Sequence, residues 1–226
     1  MQDLVDQKMT DHLRVCKGLS PTTEEELKER VVYFGEHTRH KTLIFDLDET
    51  LIHAEIVGPH ETRDDRSFFI MLSGTSGEDE HKVYVKQRPY MDSLLEHMAK
   101  LYEIAVFTAA TQEYADKIID YIDPQNIIKH RLYRQHCIVR DERYYVKDLR
   151  IIQDRELSEM IIIDNSIVSF AFNIDNGVLV KDFHSNMTDD EEFLYLCKFL
   201  EDAFSQNDVR EFNREKFKLS TIMKTL

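Results

Sequence analysis

The sequence of 226 residues contains no tryptophan, only six glycines and four prolines, and no long apolar run. Its apolar runs are short, and the one at residues 161–163 ends at Asp164, so we expect no membrane span. Hydrophobic residues make up 42% of the chain, which is enough to form a buried core. This composition excludes collagen-like, low-complexity and wholly disordered proteins.

Cysteine is also scarce, and Cys16, Cys137 and Cys197 lie far apart without the spacing of metal ligands. An odd number of isolated cysteines favours free thiols in a reducing compartment. The N-terminus has no basic stretch followed by an apolar one, so no signal peptide is predicted. We therefore expect an intracellular protein, nuclear or cytoplasmic, that is not secreted.

The chain has fewer positively charged residues than negatively charged ones. The 29 lysines and arginines face 43 aspartates and glutamates, which leaves a formal net charge of −14 at pH 7. A surface of this sign repels the phosphate backbone of nucleic acids. Direct binding of nucleic acid is therefore not expected.

Short apolar runs alternate with helical patterns from residue 41 onward. Helical patterns begin after Pro89 and after Thr111, and Thr188 with Glu191 forms a possible capping box for another helix. The predicted strands lie at residues 42–45, 104–107, 160–163 and 178–180. Strands that alternate with helices predict an α/β fold, with a parallel sheet covered by helices on both faces.

Residues 52–88 interrupt this alternation. They contain two strand-like runs with a Gly/Ser-rich segment at 73–77 between them, and Gly58-Pro59 marks the start of the irregular part. We therefore predict a β-hairpin insertion after the first strand. A comparable pair of short runs, at 137–139 and 144–146, predicts a second hairpin.

Residues 1–40 are more polar than the remainder of the chain. They carry one helix signal, in which residues 20–23 precede three glutamates and an apolar face that includes Leu27. We predict an N-terminal helical extension over residues 1–40 and a main α/β domain over residues 41–226.

The first chemical signal is a pair of aspartates, Asp46 and Asp48, directly after the first predicted strand. Open parallel sheets bind ligands at the carboxyl ends of their strands. One carboxylate there can attack phosphorus, and a second can protonate the leaving oxygen and later deprotonate water. The alternative is a chance pair in an acidic chain.

Three more polar signals follow apolar strand patterns, and each has a structural alternative. The hydroxyl of Thr108 could hold phosphate oxygens, or it could cap a helix. Lys147 could neutralise a phosphoryl group, or it could be a surface charge. Asp164 and Asn165 could supply the oxygen ligands that Mg²⁺ prefers, or they could form an Asx turn. Their common placement at strand ends favours a single phosphate site.

A cysteine-dependent phosphatase is a competing interpretation, because Arg143 follows Cys137 at the spacing of that mechanism. Such an enzyme needs a glycine-tolerant loop whose N–H groups all face the phosphate and lower the pKa of the thiol. The intervening residues 138–142 contain two acids and no glycine. We therefore expect Cys137 to be an ordinary strand residue.

Taken together, the motifs resemble those of the haloacid dehalogenase superfamily. They are most similar to the branch of small RNA polymerase II C-terminal-domain phosphatases, which includes the nuclear-envelope (Dullard-type) and small-phosphatase-like 2 enzymes. The matching motifs are Asp46-Leu47-Asp48-Glu49-Thr50-Leu51, Phe107-Thr108-Ala109, Val146-Lys147-Asp148-Leu149 and Asp164-Asn165-Ser166. The same branch is suggested by Arg88-Pro89, Tyr114-Ala115-Asp116, Asp175-Asn176-Gly177 and the segment 131–137.

The resemblance implies a role for each matching residue. Asp46 would be the nucleophile that forms a phospho-aspartate and also a ligand of Mg²⁺. Asp48 would be the general acid and base, with its backbone carbonyl on the metal. Asn165 would bind Mg²⁺ and Asp164 would support that site.

The remaining matches concern the substrate. Thr108 and Lys147 would hold the transferring phosphoryl group. Arg134 would lie near the substrate phosphate, and Tyr114 would form part of a pocket for a substrate side chain.

The intervals between the motifs leave no room for a large cap domain. An uncapped site is open to a side chain on a protein, whereas small-metabolite phosphatases more often need a cap. We therefore expect a Mg²⁺-dependent phosphatase for phosphoserine or phosphothreonine in an extended phosphoprotein segment. The resemblance suggests the RNA polymerase II tail, although Ile167 and Thr111 depart from the pattern of the branch. The alternatives are a catalytically silent phosphopeptide-binding scaffold and a phosphatase of the same fold for another substrate.

Overall fold

The computed structural model describes residues 2–57, 66–73 and 80–226. In chain order its strands are β1 (Lys41–Phe45), β2 (Ile52–Ile56), β3 (Ser67–Ser73), β4 (Glu80–Gln87), β5 (Tyr102–Phe107), β6 (Ile128–Leu132), β7 (Ile138–Arg140), β8 (Tyr144–Val146), β9 (Met160–Asp164) and β10 (Gly177–Leu179). Its α-helices are α1 (Gln2–Gly18), α2 (Glu24–Glu29), α3 (Met91–Met98), α4 (Gln112–Ile122), α5 (Glu192–Phe204), α6 (Val209–Phe217) and α7 (Leu219–Thr225). Across the part of the chain that the structure describes, every helix is too short or too polar to cross a bilayer.

The central sheet is parallel, as predicted. Within the described residues its strands follow the order β10-β9-β1-β5-β6. All five residues of β1 are buried, because β1 lies between β9 and β5. The four predicted strands are confirmed, and β6 was missed because its middle residues Lys129, His130 and Arg131 are polar, as an edge strand permits.

Both faces of the sheet are covered. Leu43 and Phe45 of β1 point into a core formed with α3, α4 and α5. Ile44, between them, points to the opposite face, where the core includes Leu13 of α1 and the 3₁₀-helical segment Ile167–Asn176. Alternate side chains of a strand face opposite sides, so one buried strand contributes to two cores.

The insertion after β1 contains more than a hairpin. β3 and β4 pair antiparallel as the predicted hairpin, but β2 pairs with the other edge of β4 and completes a three-stranded sheet in the order β2-β4-β3. The third strand was missed because β2 follows the aspartate motif almost directly. Gly58-Pro59 and residues 74–77 of the predicted loop lie outside the described residues. The second predicted hairpin is confirmed by the antiparallel pair β7 and β8.

The helices predicted after Pro89 and Thr111 are α3 and α4. The predicted capping box at Thr188 and Glu191 is wrong. Helix α5 begins at Glu192, and its backbone N–H donates to the carboxylate of Asp190 at 3.2 Å instead.

Several of the described residues before position 41 pack against the rest of the fold. The predicted helix signal is α2, whose Thr23 and Glu26 form a capping box. Helix α1 was not predicted, and its Leu13 is fully buried against the segment Ile167–Asn176. The Thr22 hydroxyl donates to Asp148 at 2.7 Å. The boundary between an extension and a main domain at residue 40 stays a prediction.

Candidate active site

The predicted site residues meet at the carboxyl edge of the central sheet. Asp46 follows β1, and its backbone N–H donates to Ile163 at 2.9 Å. Thr108 follows β5, and its N–H donates to Leu132 at 2.9 Å. Asp164 is the last residue of β9. Because β9, β1 and β5 are adjacent and parallel, their last residues come together.

Lys147 lies between two of the aspartates. Its buried ammonium donates to Asp46 Oδ1 and, at 2.6 Å, to Asp164 Oδ2. The main chain at Lys147 is fixed by an N–H bond to Ser169 O at 2.6 Å. Burial alone would lower the pKa of Lys147, but the two carboxylates reverse this effect and raise it. The two carboxylates therefore favour the charged form of Lys147 inside the site.

Thr50, to which the sequence assigned no role, connects the nucleophile candidate with Asn165. Its buried hydroxyl lies 3.0 Å from Asp46 Oδ2 and 3.3 Å from Asn165 Oδ1. The position of Thr50 in the first motif was the signal available in the sequence. Its hydroxyl holds two oxygens of the site within a few ångströms of each other.

Asp48 lies at the rim, where Tyr114 Oη donates to its Oδ1 at 2.5 Å. Burial raises the pKa of Asp48 to about 7, assisted by the negative charge of Asp46 and opposed by the bond from Tyr114. A carboxyl group with this pKa exists in both protonation states near neutral pH. It can therefore donate a proton in one step and accept one in another.

An open groove of about 530 Å³ adjoins Asp48. Its walls include Tyr114, Arg134 and Tyr145. Arg134 Nε donates to Ala109 O at 2.7 Å, and its guanidinium lies 5.3 Å from the centre of the Tyr145 ring. Tyr114 and Arg134, the two residues predicted to contact the substrate, therefore line one groove that opens to solvent.

The side chain of Thr108 makes its hydrogen bond to a residue close to it in the sequence. Its buried hydroxyl accepts a hydrogen bond from Ala110 N at 3.0 Å. This is a bond within the loop and not the helix cap of the alternative, because the N-cap of α4 is Thr111. Thr108 nevertheless lies at the end of β5, next to the strand that carries Asp46. Thus the structural role of its hydroxyl does not remove Thr108 from the site.

The group of oxygens around Asp46 fits a divalent cation. Asp46, Asp164 and Asn165 offer carboxylate and amide oxygens, the ligand type of Mg²⁺. Two buried carboxylates, with Asp48 close by, face the single charge of Lys147. A divalent cation would balance the remaining negative charge, which otherwise disfavours an incoming phosphate.

Asp182 is a polar neighbour of Asn165 that was not predicted from the sequence. Asp182 Oδ1 accepts a hydrogen bond from Asn165 Nδ2 at 2.9 Å. Asp182 comes shortly after β10. Its position after a predicted strand of the sheet could have identified it as a further polar residue at this edge.

The environment of Cys137 does not suit a cysteine-dependent phosphatase, the competing interpretation. Cys137 is buried, and its thiol lies 3.8 Å from the carbonyl oxygen of Thr108. Burial raises the pKa of Cys137 to about 12, although the charge of Lys147 acts in the opposite direction. A nucleophilic cysteine needs a lowered pKa, so Cys137 is unsuited to attack.

Comparisons with known proteins point to one family. A family model described as NLI interacting factor-like phosphatase matches residues 41–210. The protein named CTD small phosphatase-like protein 2 of Dictyostelium discoideum is 39% identical over 188 residues, which cover 81% of this chain and 31% of that protein. The protein named CTD small phosphatase-like protein 3 of Caenorhabditis elegans is 39% identical over 215 residues, which cover 92% of this chain and 71% of that protein.

A solved structure shows the same fold. The structure described as that of Fcp1, an essential RNA polymerase II CTD phosphatase, matches with a TM-score of 0.63 and 20% identity, covering 74% of this chain and 62% of that one. This likeness confirms the predicted haloacid dehalogenase-like α/β fold, and the family match confirms the predicted phosphatase branch. On its sequence and its fold, the chain belongs to the NLI interacting factor-like phosphatases.

Proposed function

We propose that the protein is a Mg²⁺-dependent protein serine/threonine phosphatase that works through an aspartyl-phosphate at Asp46. The observation that carries this proposal is the position of Lys147 between Asp46 and Asp164, with Thr50 joining Asp46 to Asn165. This arrangement combines a nucleophilic carboxylate, a fixed positive charge and metal-type oxygens in one buried cluster.

Each step has a group with suitable chemistry. A carboxylate oxygen of Asp46 attacks the phosphorus of the substrate, and the bond from phosphorus to the serine or threonine oxygen breaks. Asp48 protonates that leaving oxygen. Asp48 then removes a proton from water, which attacks the phospho-aspartate and releases inorganic phosphate. The pKa of Asp48, raised to about 7, suits both transfers at neutral pH.

Lys147 and Thr108 would hold the phosphoryl oxygens during transfer. Lys147 supplies a positive charge that is already oriented by two carboxylates before substrate binds. Asp46, Asp164, Asn165 and the backbone carbonyl of Asp48 would hold Mg²⁺. When bound, Mg²⁺ would neutralise charge on the phosphoryl group and orient it toward Asp46.

The open groove beside Asp48 supports a protein substrate. Tyr114 and Arg134 lie in its walls, where a chain extending from a phosphoserine or phosphothreonine would pass. The similarity to Fcp1, described as an RNA polymerase II CTD phosphatase, favours the C-terminal domain of RNA polymerase II as one such substrate. Thr111 in the same groove reduces its apolar surface.

We further propose that residues 41–226 form the catalytic domain, since the family match begins at residue 41. An intracellular location, nuclear or cytoplasmic, is supported by the three free cysteines.

The experiment is release of phosphate from an aryl phosphate, followed by phosphoserine and phosphothreonine peptides, with and without Mg²⁺. We expect Mg²⁺-dependent turnover that Asp46→Asn abolishes and Cys137→Ser retains. A folded wild type with no turnover on either substrate class would favour the phosphopeptide-binding scaffold. Activity that only Cys137→Ser removes would refute Asp46 as the nucleophile.

A further inference from the structure

The side-chain amide of Asn165 lies between two different partners. Its Oδ1 is 3.3 Å from the hydroxyl of Thr50, which also contacts Asp46. Its Nδ2 donates to Asp182 Oδ1 at 2.9 Å. One end of the amide therefore faces the cluster around Asp46, and the other faces Asp182.

The chemistry of Asp182 determines which end of the Asn165 amide faces it. An ionised carboxylate only accepts hydrogen bonds, whereas the NH₂ group of an amide only donates. The NH₂ group of Asn165 must therefore face Asp182, and Oδ1 must face Asp46. With no acceptor at position 182, the amide could turn over and present NH₂ to the oxygens around Asp46, where it cannot act as a metal ligand.

Asp182 is held rigidly enough to impose this orientation. Two residues before it, Val180 N donates to Asp164 O at 3.0 Å, and directly after it Phe183 N donates to Glu49 O at 2.8 Å. Phe183 is fully buried. The backbone around Asp182 is thus attached on both sides to segments that carry the site.

We propose that Asp182 is a positioning residue that holds Asn165 with its Oδ1 directed to the metal. This inference rests on the proposed function, in which Asn165 is a ligand of Mg²⁺. Partners behind a metal ligand orient that ligand, and their loss commonly lowers metal affinity about 10- to 100-fold.

Helix α1 approaches the same carboxylate. Lys8 Nζ lies 3.8 Å from Asp182 Oδ2, and the Lys8 side chain is largely exposed whereas that of Asp182 is only partly exposed. Exposed ion pairs of this kind contribute little, so the orientation of Asn165 depends on Asp182 and not on Lys8.

The test compares Mg²⁺ binding in the full chain of the wild type and of Asp182→Ala, Asp182→Asn, Glu192→Ala and Lys8→Ala. Glu192 is a matched control, because it lines the same cavity as Asn165 and Asp182 and pairs with Lys181. The Mg²⁺ dissociation constant is obtained by fitting the rise in melting temperature against the Mg²⁺ concentration, which does not require turnover. The Mg²⁺ dependence of aryl phosphate hydrolysis is a second reading.

We expect Asp182→Ala to raise the Mg²⁺ dissociation constant about 10-fold or more. Asp182→Asn keeps an acceptor oxygen, so its shift should be below about 3-fold, and both controls should stay within about 2-fold of the wild type.

Equal Mg²⁺ binding by Asp182→Ala and the wild type would overturn this inference and leave the proposed function intact. Equal losses in Asp182→Ala and Asp182→Asn would also overturn it, because charge would then matter and not the orientation of the amide. A wild type that binds no Mg²⁺ would refute the metal site of the proposed function, and this inference with it.

Discussion

Removing the carboxylate of Asp190 should strongly destabilise the protein. Arg88 Nε donates to Asp190 Oδ1 at 3.0 Å and Nη2 donates to Oδ2 at 2.8 Å, with side-chain exposures of 0% and 3%. Arg88 Nη1 also donates to Thr50 O at 3.2 Å. Asp190→Ala leaves a guanidinium charge buried without its counterion, a change that costs about 3–5 kcal/mol.

Urea unfolding followed by circular dichroism measures this loss. With typical slopes of about 1–3 kcal/mol per M, the midpoint should fall by at least about 1 M. Asp202→Ala is the matched control, because Asp202 pairs with Lys198 in an exposed position of α5, the helix that begins two residues after Asp190, and its loss should leave the midpoint nearly unchanged.

If Asp190→Ala does not fold, the double variant Arg88→Met with Asp190→Leu replaces both charges with apolar groups. This double variant should be more stable than Asp190→Ala, since no charge is left unpaired. The reasoning is refuted if Asp190→Ala and Asp202→Ala unfold at the same urea concentration, or if the double variant is the least stable of the set.

Three further predictions concern other parts of the fold. A Cβ at Gly177 would lie 2.1 Å from the Phe170 ring, so Gly177→Ala should lower the free energy of unfolding by about 1–3 kcal/mol in urea; an unchanged midpoint would contradict this packing. The hydrogen bonds from Arg140 lower the pKa of Glu26 to about 2, so ionised Glu26 stabilises the fold above pH about 4.5 and loses this effect as the pH falls toward 2. The stability difference between wild type and Glu26→Gln, about 1 kcal/mol or less for this partly exposed pair, should therefore shrink from pH 7 to pH 3, and growth of the difference would refute the sign. Cys197 is the least buried cysteine, so iodoacetamide should modify it first in the native protein, as peptide mass spectrometry can determine; equal labelling of all three thiols would contradict their burial.

The central strands could be predicted from the sequence because their apolar residues are continuous. Met160–Asp164 is buried on both faces, so it reads as an uninterrupted apolar run with a polar end. Part of the candidate site followed from the same pattern, since residues such as Asp46 are the first polar ones after such runs, whereas the groove residues Tyr114 and Arg134 followed only from the family resemblance. The structure brings Asp46, Lys147 and Asp164 into direct contact.

Other features depend on contacts between distant parts of the chain. Helix α1 has a mean composition too polar to stand out, although Met9, Leu13 and Cys16 recur at helical spacing. Asp182 lies 17 residues from Asn165 in sequence, and only the return of the chain through β10 brings the two together. Sequence patterns report local burial, so partners of this kind appear only once the fold is known.

Isolation of the phosphorylated enzyme tests the nucleophilic role of Asp46 most directly. The variant Asp48→Asn lacks the base for hydrolysis, but an aryl phosphate needs little acid assistance to leave. After reaction with Mg²⁺ and an acid quench, we predict that mass spectrometry finds one phosphoryl group on the peptide that contains Asp46. The same treatment of Asp46→Asn should yield none. A phosphoryl group on any other residue, Cys137 included, would contradict the nucleophilic role of Asp46.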